Sequence, residues 1–363
     1  MVRTLHTRSW SALLGAVLLL AGLAACAPAS GPLPPTAAPA APPAAPLATA
    51  APAPAGAPDR LSHTQTTIAY PYWPSIVAQT KGFFERRRLQ VEVTITPRIP
   101  DSARALAAGS HQTASIIPDT VLLAVAQGAP VALVGIECDR AAYRLAVQPT
   151  ITSFADLRGK TFAVGAINDV TAGMLIRTLR LNGLAPGEYD LVSVGSTPER
   201  YAALVSGQVA GVLLTHPMDF RAEREGFRML ANLAEILPPY AFAGLLVNRE
   251  WAQGQREVAV RWLAALLDSV RWLYDPANRD EAMAILAEAT RTSEADAQAT
   301  YAAVVEQERA YPPELRATRP HVEALVDLMR EVGTAPEPLP DLDRFLDGSY
   351  LAEALRLAGP AGR

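Results

Sequence analysis

Hydrophobic and polar positions follow two alternating periods along residues 66–136, and this pattern predicts strands and helices in turn. Short apolar or alternating runs bounded by turn residues are typical of strands, whereas apolar positions three and four residues apart are typical of helices. The predicted strands are Thr66–Tyr70, Leu89–Thr96, Thr113–Ile117 and Val131–Ile136. The predicted helices run from Ser75 to Phe84, from Asp101 or Ser102 to Gly109, and from Pro118 to Gly128.

A second series of the same kind begins near Ser153. Its predicted strands are Thr161–Gly165, Asp190–Val194 and Val209–Leu214, and its helices are Asp169–Asn182 and a segment that opens at Thr197-Pro198-Glu199 and ends at Gly207. Strands that alternate with helices of this length predict parallel sheets with helices on both faces. Two such series predict two lobes.

From about Glu250 the pattern is helical only. The predicted helices are Arg256–Tyr274, Arg279–Ala289, Glu294–Glu308 and Pro320–Val332. A helical tail of this size is too short for a domain of its own, so we expect it to pack on the first lobe. The chain then crosses between the lobes twice, near Tyr143–Gln148 and near Phe242–Asn248.

The first residues have the layout of a secretory signal. Arg3 and Arg8 precede an apolar run from Ala12 to Ala25, which is shorter than the roughly 20 residues of a membrane span. Leu23-Ala24-Ala25-Cys26 resembles the lipobox of bacterial lipoproteins, and this resemblance implies that Cys26 carries a lipid anchor after removal of residues 1–25. The alternative is an ordinary signal peptide beside an incidental cysteine.

Residues 26–61 are almost entirely Ala and Pro. Such a segment cannot bury enough apolar surface to offset the entropy of ordering it, and its prolines favour extended conformations. We interpret it as a stalk that holds a globular domain away from the membrane.

Charge and cysteine content exclude several classes of protein. The formal net charge is −4 and no basic stripe is present, so nucleic acid is not an expected partner. Cys138 is the only cysteine besides Cys26, and its apolar surroundings favour a packed side chain over a nucleophile. No phosphate-binding loop, nucleophile elbow or pair of metal-spaced histidines is present, so neither a cofactor nor an enzyme activity is predicted. We expect a monomer.

Several segments, in order along the chain, resemble one family of binding proteins. They are Ile76-Val77-Ala78, Lys81-Gly82-Phe83-Phe84-Glu85, Leu89-Gln90-Val91-Glu92-Val93, Ala105-Leu106-Ala107-Ala108-Gly109, Ala126-Gln127-Gly128-Ala129-Pro130-Val131, Asp156-Leu157-Arg158-Gly159-Lys160 and Ala203-Leu204-Val205-Ser206-Gly207-Gln208-Val209. Together they are similar to the SsuA-like solute-binding proteins for sulfonates, nitrate, taurine and thiamin-pyrimidine precursors. The chain departs from the family's pattern at Arg86-Arg87-Arg88 and at Ala210-Gly211, which leaves the ligand open.

This resemblance implies the periplasmic-binding-protein type II fold, in which two α/β lobes close on a solute through a hinge. Lobe one is expected over residues 62–146 and 247–363, with the helical tail packed on it, and lobe two over residues 147–246. It also implies the permease and ATPase subunits of an ABC importer as partners. With the lipobox, it predicts an extracytoplasmic protein that is lipid-anchored to the cell membrane.

Open parallel sheets bind ligands at the carboxyl ends of their strands. The residues at these ends that we predict to contact a solute are Tyr72, Trp73, Asp119, Thr120, Asn168, Asp169, Thr171, Thr197 and His216. Each polar residue among them is also suited to capping a helix, and a lone histidine is often structural. Tyr70 ends a predicted strand, so we expect it to pack inside the lobe.

The aromatic residues Tyr72 and Trp73, together with Asp119 and Asp169, favour a planar nitrogen heterocycle such as a pyrimidine or vitamin precursor. The alternative solute is an alkyl sulfonate, taurine or a nitrate-like anion bound at helix N-termini. Two other classes of function stay open at this point. They are a sensing or adaptor lipoprotein, and an enzyme that resembles the pyrimidine synthases of the same fold.

Overall fold

The computed structural model describes residues 56–359. The predicted signal peptide, Cys26 and most of the predicted stalk lie outside the described residues. Within residues 56–359, no helix combines the length and the apolar composition that a membrane crossing needs.

The strands form two five-stranded sheets, which are the cores of the two lobes. The first sheet has the order β2-β1-β3-β10-β4. Its strands are β1 (Asp59–Gln65), β2 (Leu89–Ile95), β3 (Thr113–Ile116), β4 (Val131–Cys138) and β10 (Ala243–Asn248). The second sheet has the order β7-β6-β8-β5-β9. Its strands are β5 (Tyr143–Val147), β6 (Thr161–Val164), β7 (Asp190–Ser193), β8 (Gly211–Thr215) and β9 (Arg228–Asn232).

Fifteen α-helices in residues 56–359 surround the sheets. Those of the first lobe's opening series are α1 (Trp73–Thr80), α2 (Phe83–Arg86), α3 (Ile99–Ala107) and α4 (Asp119–Ala126). The second series contains α5 (Val170–Leu181), α6 (Thr197–Val205), α7 (Met218–Arg224) and α8 (Leu233–Ile236). The rest are α9 (Arg249–Gly254), α10 (Arg256–Tyr274), α11 (Arg279–Thr290), α12 (Glu294–Tyr301), α13 (Arg319–Glu331), α14 (Leu342–Phe345) and α15 (Ser349–Ala358).

The first strand precedes the position that the hydrophobic pattern indicated. The prediction was Thr66–Tyr70, whereas β1 spans Asp59–Gln65 and Tyr70–Tyr72 forms a single 3-10 turn. The predicted stalk, residues 26–61, therefore overlaps the beginning of this strand.

Buried polar side chains explain why the pattern missed β1. His63, Thr64 and Gln65 are all buried. His63 Nδ1 lies 2.9 Å from Thr113 Oγ1, and Thr64 Oγ1 donates to Thr96 Oγ1 at 3.0 Å. Buried polar groups with hydrogen-bond partners are tolerated in a core, but they remove the alternation by which a strand is recognised.

Each sheet contains a strand that runs against its central neighbours, so the sheets are mixed, not parallel as predicted. β10 is antiparallel to β3 and β4, and β5 is antiparallel to β8 and β9. These two strands follow the crossings between lobes. After each crossing, the chain enters the new sheet at the end that faces the other lobe. The strand that follows runs away from that lobe, and its direction is therefore opposite to that of its neighbours in the sheet.

Strand membership also moves the expected lobe boundaries. The boundaries at 146/147 and 246/247 fall inside β5 and β10, which belong entirely to the second and the first sheet, respectively. The crossings therefore occupy residues 139–142 and 237–242. Both strands are apolar runs, and an apolar run does not reveal to which of two sheets it belongs.

The helical C-terminal segment packs on the first lobe, as predicted, but it also contacts the second. α10 packs against α1 and α15, and α15 packs against β4. α13, in contrast, packs against α5 of the second lobe. A Cβ atom on Gly173 of α5 would lie 2.4 Å from the carbonyl oxygen of Leu328, so only glycine permits this approach. The Arg180 and Glu331 side chains form an ion pair at 2.5 Å between the same two helices.

Candidate functional site

The loop after β3 carries Asp119 to the edge of the first sheet that faces the second lobe. Asp119 opens α4, and its Oδ1 accepts hydrogen bonds from the backbone N (2.6 Å) and Oγ1 (3.3 Å) of Thr120. Burial raises the pKa of Asp119 to about 6. The hydrogen bonds from Thr120 oppose this shift, while the negative charge of Asp169 in the second lobe adds to it. The charges of two predicted carboxylates, one in each lobe, thus influence each other.

Asp169 organises the corresponding loop of the second lobe. Its Oδ1 accepts from the Ala172 N at 2.9 Å and from Thr171 Oγ1 at 2.5 Å, and its Oδ2 accepts from the Ala166 N at 2.8 Å. Asp169 is therefore the N-cap of α5, and Thr171 is held by it. Asn168 beside them is exposed. A Cβ on Gly165 would lie 2.3 Å from Asp169 Oδ2, so glycine is required where the loop turns back on this carboxylate.

Thr197 contacts a buried arginine that sequence reasoning missed. Arg200 is 3% exposed, and its Nη2 donates to Thr197 Oγ1 at 3.0 Å. Its Nη1 and Nε donate to the carbonyl oxygens of Gly195 (2.6 Å) and Leu213 (3.3 Å). Within residues 56–359 its guanidinium forms no ion pair. The only sequence signal was its place in the first turn of α6, at the carboxyl end of β7.

The two aromatic residues predicted to stack on the solute are buried. Trp73 is 0% exposed and meets the ring of Tyr301 edge-on at 5.9 Å between centroids. Tyr72 is also buried, and its hydroxyl lies 2.9 Å from Thr66 Oγ1. Trp73 and Pro74 form the first turn of α1 instead of a free loop, which directs the indole into the lobe. The indole thus packs inside the first lobe, but its Nε1 is buried without a hydrogen-bond partner within residues 56–359, and its contact with a solute stays a prediction.

A different set of rings lies where the lobes meet. We call it the aromatic cluster, and it consists of Tyr70, Tyr143, His216, Tyr240 and Phe242. Centroids are 5.7 Å apart for Tyr70 and His216, and 6.4, 6.0 and 5.8 Å from Phe242 to Tyr70, Tyr143 and Tyr240. The Tyr70 hydroxyl accepts from the Ala142 N of the first crossing at 2.9 Å. The signal in the sequence for Tyr143, Tyr240 and Phe242 was their position at or beside the predicted crossings between the lobes.

His216 is buried in the loop after β8. Its Nδ1 lies 2.9 Å from both carboxylate oxygens of Asp219, and its ring is stacked on Phe220 at 4.5 Å. Its Nε2 is buried and has no hydrogen-bond partner within residues 56–359. The predicted histidine is therefore held by one ring nitrogen and leaves the other unpaired.

A second buried carboxylate, Glu137, lies at the end of β4. Its Oε1 accepts from the Ser75 N at 2.8 Å, and its Oε2 accepts from Ser115 Oγ at 2.5 Å. Burial raises the pKa of Glu137 to about 7, against the effect of these hydrogen bonds. Nothing in the apolar run Val131–Ile136 indicated that the next residue is a buried acid.

In the described part of the chain, no group of three or more His, Cys, Asp or Glu side chains is arranged to hold a metal ion. Cys138 is buried, and its Sγ donates to the Arg140 carbonyl oxygen at 3.3 Å. Burial raises the pKa of its thiol, which disfavours the reactive thiolate.

Comparison with known proteins identifies structural relatives at low sequence identity. The aliphatic sulphonate binding protein SsuA of Escherichia coli has a TM-score of 0.66 and 19% identity, over 82% of this chain and 100% of that one. The nitrate-binding protein NrtA of Synechocystis has a TM-score of 0.68 and 15% identity, over 83% and 89%. The desulfurization enzyme DSZB shares the same architecture, with a TM-score of 0.63 and 16% identity over 82% and 99%. These likenesses show the fold, which does not by itself separate binding from catalysis.

A curated relative and a family description carry the comparison further. A Haemophilus influenzae protein named for thiamine biosynthesis is 33% identical over 143 residues, which are 38% of this chain and 44% of the relative. The chain thus spans less than half the length of that relative. The family description "NMT1/THI5 like" matches residues 71–279, which is more than half of the chain. The chain belongs to the NMT1/THI5-like family.

Proposed function

We propose that this protein is the extracytoplasmic solute-binding component of an ABC import system and that it traps a small planar nitrogen heterocycle between its lobes. The observation that carries the proposal is the aromatic cluster, in which Tyr70 of the first lobe packs against His216 of the second and against Phe242 at the second crossing. Strand ends of two α/β lobes form the crevice in which such folds bind ligands. The names of the E. coli and Synechocystis structures, a sulphonate-binding and a nitrate-binding protein, support a binding function.

Electrostatics favour a solute that donates hydrogen bonds. Asp119 has a raised pKa because it is buried and because Asp169 is near, so a further negative charge there is unfavourable. A ring amine, in contrast, donates to carboxylates and lowers their mutual repulsion. Flat rings also match the aromatic cluster, whose rings are buried where the lobes meet and are exposed to a solute only when the lobes open. Offset stacking then adds about 0.5–1.5 kcal/mol per pair beyond area burial. The thiamine-biosynthesis name of the curated relative is consistent with a pyrimidine.

One observation favours the second candidate, a sulfonate or a nitrate-like anion. Arg200 is buried beside Thr197 without an ion-pair partner in residues 56–359. A buried guanidinium at a helix start is suited to an oxyanion. The Arg200 guanidinium already donates hydrogen bonds to Gly195, Leu213 and Thr197. These three bonds are sufficient to explain its burial by a structural role.

We propose that the protein binds its solute and does not catalyse a reaction on it. The fold alone does not exclude an enzyme, as DSZB illustrates. The support comes from Cys138, whose thiol is buried and has a raised pKa, and from Asp169 and Thr171, whose hydrogen bonds are all local. None of these groups is free to act as a nucleophile or base on a bound solute.

Replacing Asp119 tests the ligand class. We expect Asp119→Asn to weaken binding of aminopyrimidines about tenfold to a hundredfold, because a hydrogen bond to a charged group contributes about 1.5–3 kcal/mol. Binding of alkanesulfonates is expected to be unchanged or stronger. The measurement is titration calorimetry of both solute classes, with Asp280→Asn as control, since the Asp280 side chain is 96% exposed in the first turn of α11. Tight binding of taurine, nitrate or an alkanesulfonate, without binding of any pyrimidine, would contradict the proposed class and leave the solute-binding role intact.

We propose that the domain is a monomer anchored through a lipid on Cys26, with residues 1–25 as a signal peptide. Cys26 lies outside the described residues, and the proposal rests on the apolar run and the lipobox-like segment. We expect Cys26→Ala to move the protein from the membrane to the soluble fraction after lysis, whereas Cys138→Ala stays with the membrane. Fractionation followed by immunoblotting measures this, and a membrane-bound Cys26→Ala protein would contradict it.

A further inference from the structure

Most of the helix α13 is joined to the second lobe. A Cβ atom on Gly173 of α5 would lie 2.4 Å from the Leu328 carbonyl oxygen, so the backbones of α5 and α13 are in direct contact. Two ion pairs join the same helices, Arg177–Asp327 at 3.9 Å and Arg180–Glu331 at 2.5 Å. α13 also packs against α4 of the first lobe, but within residues 56–359 no hydrogen bond or ion pair links these two helices. Its firmer attachment is therefore to the second lobe.

The chain on both sides of α13 is attached to β4 of the first lobe instead. Before the helix, the Ile136 N donates to the Leu315 carbonyl oxygen at 2.8 Å, and a Cβ atom on Gly135 would lie 2.9 Å from the same oxygen. After the helix, α14 packs against β4, and the Asp347 N donates to the Leu133 carbonyl oxygen at 2.9 Å. The chain thus leaves the first lobe to form α13 and returns to it afterwards.

Two connections join α13 to these attached segments, residues 316–318 and 332–341. Neither contains a helix or a strand. The backbone is left-handed at Leu315 (φ 54°) and at Gly333 (φ 69°), next to or within these connections. Residues 335–340 have the sequence Ala-Pro-Glu-Pro-Leu-Pro, and none of their backbone N–H groups donates to a backbone carbonyl oxygen. Hinges consist of loop or element-terminal residues of this kind, which absorb changes in φ and ψ.

The first turn of α13 lies at the crossings between the lobes. The Ala241 N of the second crossing donates to the His321 carbonyl oxygen at 3.2 Å, and His321 Nε2 lies 3.8 Å from Asp139 Oδ2 of the first crossing. Arg319 also forms an ion pair with Asp343 of α14 at 2.6 Å. A rotation about the crossings displaces atoms near its axis only a little, so these contacts persist while the rest of α13 moves.

We propose that α13 moves with the second lobe when the crevice opens and closes, and that residues 316–318 and 332–341 are a second pair of hinges beside the two crossings. This proposal rests on the proposed function, which requires lobes that move. The contact between α13 and α4, the helix that begins at Asp119, is then made on closure. A contact present only in the closed form favours that form, so α13 raises the affinity for the solute without touching it.

Distances between spin labels in the full-length protein test the proposal. Three exposed positions are labelled in pairs, Glu92 in the first lobe, Gln208 in the second lobe and Glu323 in α13. The labels are attached to p-acetylphenylalanine, which leaves Cys26 and Cys138 unmodified. Double electron–electron resonance measures the distances without solute, with 4-aminopyrimidine and with ethanesulfonate.

We expect 4-aminopyrimidine to change the distances from Glu92 to Gln208 and to Glu323, and to leave the distance between Gln208 and Glu323 the same. Without solute, we expect broad distance distributions from Glu92 to the other two positions and a narrow one between Gln208 and Glu323, because these two belong to one moving body. Arg356 is the control, since it is an exposed residue of α15, which packs on β4, and its distance from Glu92 is expected to stay constant.

The outcomes are distinguishable. A constant distance from Glu92 to Glu323, with a changing or broad distance from Gln208 to Glu323, would assign α13 to the first lobe and disprove the second pair of hinges while the two-lobe trap stands. If the distributions of all pairs are narrow and neither solute changes them, the lobes do not move, and the trap and the moving helix are both overturned. The expected pattern with ethanesulfonate instead of 4-aminopyrimidine would support the moving helix and contradict only the ligand class.

Discussion

Replacing Trp73 by alanine is expected to lower the free energy of unfolding by about 3–5 kcal/mol, the usual loss for a large aromatic side chain removed from a core. Trp73 is completely buried at the start of α1 and packs edge-on against Tyr301. The substitution leaves a cavity that the surrounding helices fill only in part, so the residues that contacted the indole lose packing contacts. Urea denaturation at fixed pH measures the change.

Trp272→Ala is the control, since this indole is only half-buried and Lys81 lies over its ring at 5.2 Å. We expect a clearly smaller loss of stability for it. A Trp73→Ala protein with unchanged unfolding free energy and no solute binding would reverse the assignment and make Trp73 a ligand contact.

The Glu137 carboxyl is expected to make the protein less stable as the pH rises. Its pKa is raised by burial from an ordinary value of 4.5 to about 7, so the folded state holds a proton that the unfolded chain releases. The contribution is therefore present below about pH 4.5 and is lost as the pH rises through about 7. At about 1.4 kcal/mol per pKa unit, the loss is about 3 kcal/mol.

Glu137→Gln removes this titration while its amide remains able to bond to Ser75 and Ser115. We expect the variant to gain stability over the wild-type protein between pH 5 and pH 8, as measured by urea unfolding at both values. Glu92→Gln, at an exposed position of β2, is expected to leave the pH dependence unchanged. Parallel pH profiles for wild type and Glu137→Gln would show that the carboxyl titrates normally.

Most elements were predictable because local signals specify them. The strand β2, the helix α10 and the cap of α5 at Asp169 were all predicted within one or two residues from periodicity and capping residues. The errors arose where burial is decided by distant residues. β1 was displaced because His63 and Thr64 are paired with side chains elsewhere in the chain, and no local pattern shows such a partner.

The sequence predicted which loops form the candidate site, but it did not predict which side chains contact each other there. Strand ends indicated Asp119, Asp169 and His216, and the charge of Asp169 in the second lobe raises the pKa of Asp119 in the first. Trp73 is buried inside the first lobe, and its contact with a solute stays a prediction. Arg200 was missed because its burial depends on contacts that only the folded chain provides, among them its hydrogen bond to the Leu213 carbonyl oxygen in β8.

Periodicity, capping residues and short motifs were sufficient to predict the two α/β series, the helical C-terminal segment and the family, because these signals depend on neighbours along the chain. They could not predict which sheet contains β5 and β10, that α13 packs on the second lobe, or which side chains remain unpaired within residues 56–359. Those properties depend on contacts between residues far apart in the chain. Burial and hydrogen-bond partners become defined only when those residues meet.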